Sequence, residues 1–468
     1  MTATGPALLR RIHLGGAISL VISNSVGVGI LTSSGYLARD LGEPILFLAI
    51  WVVGGLLALI GALCYSELGM NFPASGGEYV YLHHAYGPVW GFMTGWTSFL
   101  AGFAAPVAAA ALAFAEYLGT FFPAFRPESA LWNSGTGLFS LHLGGAQILA
   151  CGIIGALTVA NLYGVQRATR LQQILTGLKL GVLLLFLFFA IVAGNGNLAN
   201  FSLSTFREGT TPLPAQFAVS LYFVYVSYSG WNAATYIAEE IADPARNVPK
   251  ALLAGTAIVT ALYLSLNAVF LYAVPLGVMK GFTAVGALAS ARLFGPQMAS
   301  AFSILMAMIL LGTLNAMITV GPRVVYAMAR NGAFFPAAAQ VDPQWRAPVP
   351  ALLLLALVSM ALTFTSLPSL FFFIGFTLNF FSMLSVVALF RFRRRPGWRK
   401  LPLLTKTWPL LPGIFILTGA WMTLFGFTLE PRISFTATAL IAAGALYYRH
   451  QLQSRKAETP WDASSTAN

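Results

Sequence analysis

Ser25-Val26-Gly27-Val28-Gly29-Ile30 interrupts the first apolar segment of this chain, residues 12–37, and Tyr228-Ser229-Gly230-Trp231-Asn232 interrupts the sixth, residues 217–238. Glycine inside a membrane helix weakens it and lets backbone approach backbone or ligand. Unwound backbone at membrane depth is tolerated only where protein buries it or where it lines a watery cavity. Two interrupted segments at matching positions of two halves point to a midplane solute site in a secondary transporter.

Composition supports a membrane reading of the whole chain. The 468 residues are 57% hydrophobic and only 9% charged, against about 25% charged in a soluble domain. Twelve apolar stretches reach the roughly 20 residues a span requires, centred near Val26, Leu56, Leu100, Ile153, Leu185, Phe223, Leu262, Ile309, Leu357, Leu378, Leu417 and Leu440. The expected fold class is an all-α integral membrane protein of 12 transmembrane helices. The first five (residues 12–194) and the next five (residues 215–395) each contain an odd number of spans, so the halves take opposite topologies, an inverted repeat if they share a fold. Two further helices occupy residues 407–449. Residues 1–11 and a Ser- and Thr-containing tail, residues 450–468, flank them.

The net charge of +12 is distributed as topology requires and not as nucleic acid would. With twelve spans, Arg10, Arg11, Arg167, Arg170, Arg246, Lys250, Arg323, Arg330, Arg346, the basic run over residues 391–406, Arg449, Arg455 and Lys456 fall on one side, while the other receives only Arg39, Arg126, Arg207, Lys280, Arg292 and Arg432. By the positive-inside rule both termini are cytoplasmic. The cluster Arg391, Arg393, Arg394, Arg395, Arg399 and Lys400 reads as a topology anchor, with a lipid-headgroup site as the sharper alternative. The two cysteines, Cys64 and Cys151, fall in spans and read as small buried residues.

At the first break the half-helix that resumes presents free amides and partial positive charge, which suit a carboxylate. At the sixth, the half-helix that ends leaves carbonyls that suit an ammonium group. Together they describe a receptor for a zwitterion such as an α-amino acid. The plain alternative is that Gly-x-Gly serves tight helix packing. Lys179 lies about 12 Å inside the fifth segment at 1.5 Å per residue, where an ammonium is costly and functional by default. It is the candidate coupling residue, in the place a sodium ion would hold; snorkelling of its stem to the surface is the alternative. Glu67, Glu116, Glu239 and Glu240 stand at span ends, and a mid-membrane acid is not evident. That disfavours cationic substrates and sodium coupling. His83-His84 has no partner set for a metal. No metal and no cofactor are expected, and no P-loop or nucleophile elbow indicates ATP drive or an enzyme.

Three stretches resemble a known family. They are Tyr228-Ser-Gly-Trp-Asn-Ala-Ala-Thr-Tyr-Ile-Ala-Glu239-Glu240-Ile-Ala-Asp243-Pro244-Ala-Arg246-Asn247-Val-Pro249-Lys250, Tyr65-Ser-Glu67 through Pro73-Ala-Ser-Gly76-Gly77-Glu78-Tyr79-Val-Tyr81, and Leu311-Gly-Thr-Leu-Asn315 through Arg323 to Gly332. They are similar to motifs of the amino acid–polyamine–organocation superfamily permeases, in the L-amino-acid transporter branch. The resemblance implies a five-plus-five fold with discontinuous helices 1 and 6. It also implies a carboxylate-binding turn at Ser25, Val26, Gly27, Val28, Gly29 and Ile30, and an amino-group side at Tyr228, Ser229, Gly230, Trp231 and Asn232. Lys179 matches the fifth-helix lysine of sodium-independent members, and Glu67, Glu239, Glu240 and Arg323 match a cytoplasmic gate, with a solvated surface as the alternative. Val28 replaces a serine of the family's turn, and Val226 replaces its aromatic gate, leaving Tyr225 or Tyr228 for that role or a wider pocket.

The sequence thus describes a sodium-independent secondary transporter of neutral or apolar L-amino acids at the plasma membrane, working by exchange or proton symport. A cationic amino acid or polyamine carrier is the alternative within transport, and an amino-acid receptor the alternative outside it. The outer loop between spans three and four has no cysteine, so no covalent heavy-chain partner is expected.

Overall fold

Which parts of the chain leave the helix, and where, positions everything else. The computed structural model describes residues 10–452 apart from 11, 75, 127–128, 130, 135–140, 163–164, 208–209, 331–332 and 343–346. The expected N-terminal segment other than residue 10, the tail beyond 452, Ser75 and the Asn331-Gly332 end of the third motif lie outside the described residues, as do the side chains of 165–176.

In chain order the helices are α1 (Leu14–Ser25), α2 (Val28–Leu41), α3 (Pro44–Asn71), α4 (Glu78–Tyr86), α5 (Pro88–Thr97), α6 (Ala105–Leu118), α7 (Gly145–Leu162), α8 (Val165–Ala193) and α9 (Leu213–Tyr228). There follow α10 (Pro244–Ala273), α11 (Leu276–Met279), α12 (Val285–Phe294), α13 (Pro296–Arg330), α14 (Val349–Leu362), α15 (Leu367–Phe392), α16 (Pro402–Lys406), α17 (Leu410–Leu429) and α18 (Pro431–Tyr447). A π-helical turn, Ser98–Ala104, joins α5 and α6 into one span. The strands among the described residues, β1 (Trp132–Ser134) and β2 (Leu141–Leu143), pair antiparallel with Asn133 opposite His142.

Seven of these helices are long and apolar enough to cross a membrane, eight with the bent pair α1–α2. The twelve expected segments each centre on a helix or, for the first, on its break. Several of those helices, α14 at 14 residues among them, fall short of a full span on length. The chain is an all-helical, multi-pass membrane protein. Apolar side chains face outward where hydrocarbon would meet them, as at Ile191 and Leu417. The α5–α6 span and α15 form the interior, 78% and 72% buried over their apolar windows, whereas α17 is only 28% buried and lies at the periphery.

The first break is real and narrower than expected. Val26 leaves α1 with ψ 98°, Gly27 is extended at φ −152° and ψ −148°, and Val28, Gly29 and Ile30 already belong to α2. The two halves meet at 42°. The sixth segment differs from the expected interruption. From Ser229 the chain passes directly from α9 into a 3-10 helix, Ser229–Glu240, with a kink at Ile237. A 3-10 run usually ends after 3–4 residues; here the first piece runs from Ser229 to the non-helical Ile237 (φ −124°), beyond which a short second piece reaches Glu240. The reason is that i→i+3 bonding retains internal partners for the backbone where a coil at this depth would leave them bare.

Two close approaches bring the breaks together. A Cβ added to Gly29 would stand 2.4 Å from Ser227 Cα, and one added to Gly230 would stand 2.3 Å from the carbonyl carbon of Asn24. Only glycine permits these backbones to touch. After the 3-10 helix, Asp243 takes a left-handed conformation (φ 45°) before Pro244 opens α10. Aspartate is among the few side chains that tolerate it, and proline suits a first helical position. The Asp243 carbonyl accepts from the amides of Arg246 and Asn247. Just upstream, Ile12 pairs with Ile241 as an isolated parallel bridge: its amide donates to the Glu240 carbonyl and its carbonyl accepts from the Ala242 amide, both at 2.9 Å. The entrance to α1 is thereby tied to the exit of the 3-10 helix.

The packing predicts opposite signs for three glycine-to-alanine substitutions. Gly29→Ala and Gly230→Ala each meet backbone and should destabilise by about 1–3 kcal/mol or more. Gly181→Ala meets nothing within 4 Å and should be neutral or stabilise by up to about 1 kcal/mol. Thermal unfolding of the detergent-solubilised protein separates them, and equal effects at all three positions would contradict the contact between the breaks.

Candidate functional site

The first break strands carbonyls at the C-terminal end of α1 and amides at the N-terminal end of α2. The carbonyl end is capped from elsewhere in the chain. Lys179, on α8 and 3% exposed, extends its ammonium to the Ser23 carbonyl at 3.1 Å and to the Val26 carbonyl. A cation at a helix C-terminus is favoured by the helix dipole, and charge-assisted hydrogen bonds are about twice as strong as neutral ones. Snorkelling is excluded in this structure: the ammonium points into the break. Tyr263, on α10 and fully buried, places its hydroxyl 2.7 Å from the Ser25 carbonyl and 2.8 Å from the Ser227 carbonyl. One phenolic proton serves two acceptors, so the carbonyls of the first and sixth segments converge on a single donor point. The expected amino-group side is therefore not bare.

The amide end remains open. Gly27 caps α2 with no side-chain partner, and the first-turn amides of Val28, Gly29 and Ile30 have no partner among the described residues. All are buried. Ser25 turns its hydroxyl back to the Val21 carbonyl at 2.9 Å, so the backbone, not that hydroxyl, faces the break. Thr313 of α13 stands beside Gly27, with Cγ2 3.5 Å from where a Cβ would be. Around the same point Ser227 lies 3.4 Å from the Ser33 hydroxyl, and Ser34 donates to Asn267 at 2.7 Å.

The sixth-segment residues divide. Gly230 backs onto α1, Tyr228 and Trp231 turn toward α3, and Asn232 turns toward Glu78 of α4. The Tyr228 hydroxyl donates to the Trp51 carbonyl at 3.3 Å, and Trp231 packs edge-on against Tyr65 at 4.6 Å. Tyr225 donates to Ser382 at 2.8 Å. Tyr225, Tyr228 and Trp231 line a narrow cavity of about 20 Å³ with Gly54, Leu221 and Phe415, room for roughly one water. Val226 is buried in α9 and Ser229 half-buried at the helix transition.

One carboxylate escaped the reading of the sequence. Glu78, 5% exposed, accepts from Tyr65 at 3.0 Å, from Asn232 at 2.6 Å and from the Tyr236 hydroxyl. It joins α3, α4 and the 3-10 helix through neutral donors alone. It was visible in the motif Gly76-Gly77-Glu78-Tyr79 but stands ahead of a span and not inside one. The expected gate of Glu67, Glu239, Glu240 and Arg323 is not assembled. Glu67, fully buried, is filled by Arg393 (Nε at 2.7 Å, with a second bond from the same guanidinium), by Trp398 Nε1 at 2.8 Å and by the Leu401 amide at 2.9 Å. Arg323 is exposed, Glu239 and Glu240 are half-buried, and none of the three has a side-chain partner among the described residues. The physical reason is reach: the bidentate guanidinium from the end of α15 already satisfies Glu67. No cluster of metal-ligating side chains occurs among the described residues.

Comparison with known proteins follows this geometry. The model of a family described as amino acid permease matches residues 13–448. Over 456 residues the chain is 30% identical to the large neutral amino acids transporter small subunit 2 of Mus musculus, covering 95% of this chain and 81% of that protein. It is 28% identical to the Asc-type amino acid transporter 1 of Mus musculus, over 94% and 80%. Identity to the b(0,+)-type amino acid transporter 1 of the same organism is 26%, over 94% and 88%. The first of these is named a small subunit, which makes it one component of an assembly. That name runs against the expectation of no covalent heavy-chain partner.

The converging carbonyls carry a prediction. Tyr263→Phe removes the donor and leaves Ser25 and Ser227 carbonyls buried without it, at a cost of about 1–3 kcal/mol. Thermal unfolding should fall accordingly, while the isosteric ring keeps its contacts with Trp51 and Tyr228. An unchanged transition would mean that the carbonyls find another partner.

Proposed function

This chain belongs to the amino acid permease family, and from that premise we propose that it carries neutral L-amino acids across the plasma membrane by alternating access, without sodium, by exchange or proton symport. The observation that carries this reading is the capped and uncapped break. A fixed ammonium, Lys179, occupies the carbonyl end of α1, where a transported cation would otherwise be needed, and the adjacent amide end of α2 is left for a substrate carboxylate. The substrate's amino group competes with the Tyr263 hydroxyl for the Ser25 and Ser227 carbonyls. The relative named for large neutral amino acids supports the choice of substrate class.

In this reading Gly27, Val28, Gly29 and Ile30 bind the carboxylate, and Ser25, Val26, Ser229 and Gly230 shape the turn around it. Val226, Tyr228, Trp231 and Asn232 form the wall toward α3 and α4, and Lys179 couples transport to a proton or to exchange. Residues 12–194 and 215–395 form the two inverted halves, both opened by a discontinuous segment, and residues 407–449 add two helices to give twelve, with both termini cytoplasmic. The Ile12–Ile241 bridge supports this pairing, because it joins the start of the first opening segment to the end of the sixth, as opposite topologies of the two halves require. Family and relatives are transporters, so no catalytic chemistry is assigned.

A second reading has one observation in its favour. Glu78 is a buried carboxylate with no cation beside it among the described residues, next to Asn232, and a cationic amino acid or polyamine would find its counter-charge there. Against it stand the three donors that already fill Glu78.

Uptake of labelled neutral amino acids into sodium-free liposomes holding the purified protein tests the reading. Lys179→Ala should reduce uptake at least about tenfold and remove its pH dependence, since the variant leaves two carbonyls uncapped and no titrating group at the break. Uptake that survives unchanged at every pH would refute the coupling role. Competition by arginine or spermidine stronger than by leucine would favour the second reading.

A further inference from the structure

The basic run that sequence analysis reads as a topology anchor is not uniform. Arg391 donates to the Ala85 carbonyl at 2.7 Å, Arg395 donates to the His84 carbonyl at 3.0 Å, and Arg393 is spent on Glu67. These three fasten the end of α15 to α3 and α4. Arg394 and Lys400 are different. Both are exposed, neither has a side-chain partner among the described residues, and both line one cleft of about 360 Å³ with Phe390, Arg393, Thr405 and Trp408. That volume lies within the roughly 300–1,000 Å³ of ligand pockets.

We propose that this cleft binds the phosphate group of an anionic lipid headgroup. The cleft is formed by the end of α15 and the segment that leads from it to α17, and both helices qualify as spans, so it opens at the membrane edge, where headgroups lie. Its charge is uncompensated: Glu67 neutralises Arg393 alone, and no carboxylate lines the cleft. Its other wall is aromatic. Trp408 packs against Phe390 at 4.4 Å and carries the Arg393 guanidinium 4.0 Å above its ring. An interfacial tryptophan accommodates the junction of polar headgroup and apolar chain. Two free cations beside such a wall suit a phosphate that carries a glycerol stem better than one free in water, and juxtamembrane basic residues are attracted to anionic lipid. The inference is independent of which solute the protein carries.

The test titrates the purified, delipidated full-length chain with short-chain phosphatidylglycerol, the matching phosphatidylcholine and inorganic phosphate, and counts bound molecules by native mass spectrometry. Phosphatidylglycerol should bind saturably and more tightly than phosphatidylcholine. Arg394→Gln with Lys400→Gln should weaken it on the order of 30-fold, with the unfolding temperature unchanged because both side chains are exposed and unpartnered. Lys400→Glu alone gives a second reading that should show a loss of at least fivefold. Phosphatidylglycerol binding within about threefold of the parent in both variants would overturn the site. Displacement by inorganic phosphate at the same concentration as by the lipid would overturn the lipid as its source.

Discussion

A carbonyl oxygen released by a broken helix beneath the membrane surface has no water to turn to, and leaving it unpaired costs several kcal/mol. The structure meets that constraint at the first break from two directions. Lys179 comes from α8 and takes Ser23 and Val26; Tyr263 comes from α10 and takes Ser25 together with Ser227. The caps are not local. Each fixes the position of a distant helix relative to the break, so the interruption that opens a place for a solute is also what holds α1, α8, α9 and α10 in register. The sixth segment solves the same problem differently, by tightening into a 3-10 helix whose bonds remain internal.

From that constraint the glycines acquire their meaning. If α1 and the 3-10 helix must share a donor at Tyr263, their backbones have to approach closely, and Gly230 against Asn24 and Gly29 against Ser227 are where they do. Interfaces of small residues are how membrane helices pack without a hydrophobic driving force. Packing and ligand binding, rival explanations of Gly-x-Gly in the sequence, are here one arrangement: Gly29 touches Ser227 through its Cα position while its amide faces the open end of the break.

The residue pattern disclosed the helical membrane class, the position of the first break and the depth of Lys179, because each follows from one-dimensional quantities: apolar length, glycine spacing and distance from a span edge. It missed what depends on the partner. Tyr263 lies in an unremarkable apolar run and becomes a cap only when α10 lies beside the break. Arg393 was one of six neighbouring cations, and nothing local marks it as the one that reaches Glu67. The sixth segment was expected to unwind at Ser229 and Gly230, since glycine weakens a helix, but a 3-10 helix keeps its backbone partners internal at this depth. Conversely, the Asp243-Pro244-Ala-Arg246-Asn247 part of the longest motif has a plain conformational task, a left-handed turn that starts α10, which a reading for chemistry passes over.

Two buried carboxylates meet the end of α3, Glu67 within it and Glu78 of α4 through Tyr65, and their energetics differ. Glu67 meets a guanidinium bidentately and two further donors; separating a buried ion pair by removing one partner costs about 3–5 kcal/mol. Glu78 is held to Tyr65 and the 3-10 helix by neutral hydrogen bonds, each worth about 0.5–1.5 kcal/mol net, or up to about 3 where a charged group is involved. A rocking motion of one bundle against another has to part some contacts at this end, and the less costly set is the one between α3 with α4 and the 3-10 helix. In the proposed alternating-access reading the Glu67–Arg393 pair then fastens α3 to α15, and the contacts that part are those of Glu78 with Asn232 and Tyr236. Asn232, beside Trp231 in the 3-10 helix, belongs to that polar cluster, and Ser227 lies two residues before the same helix begins. In the proposed reading, a solute that draws on the Ser25 and Ser227 carbonyls therefore acts close to the junction of α9 with the helix that Glu78 holds.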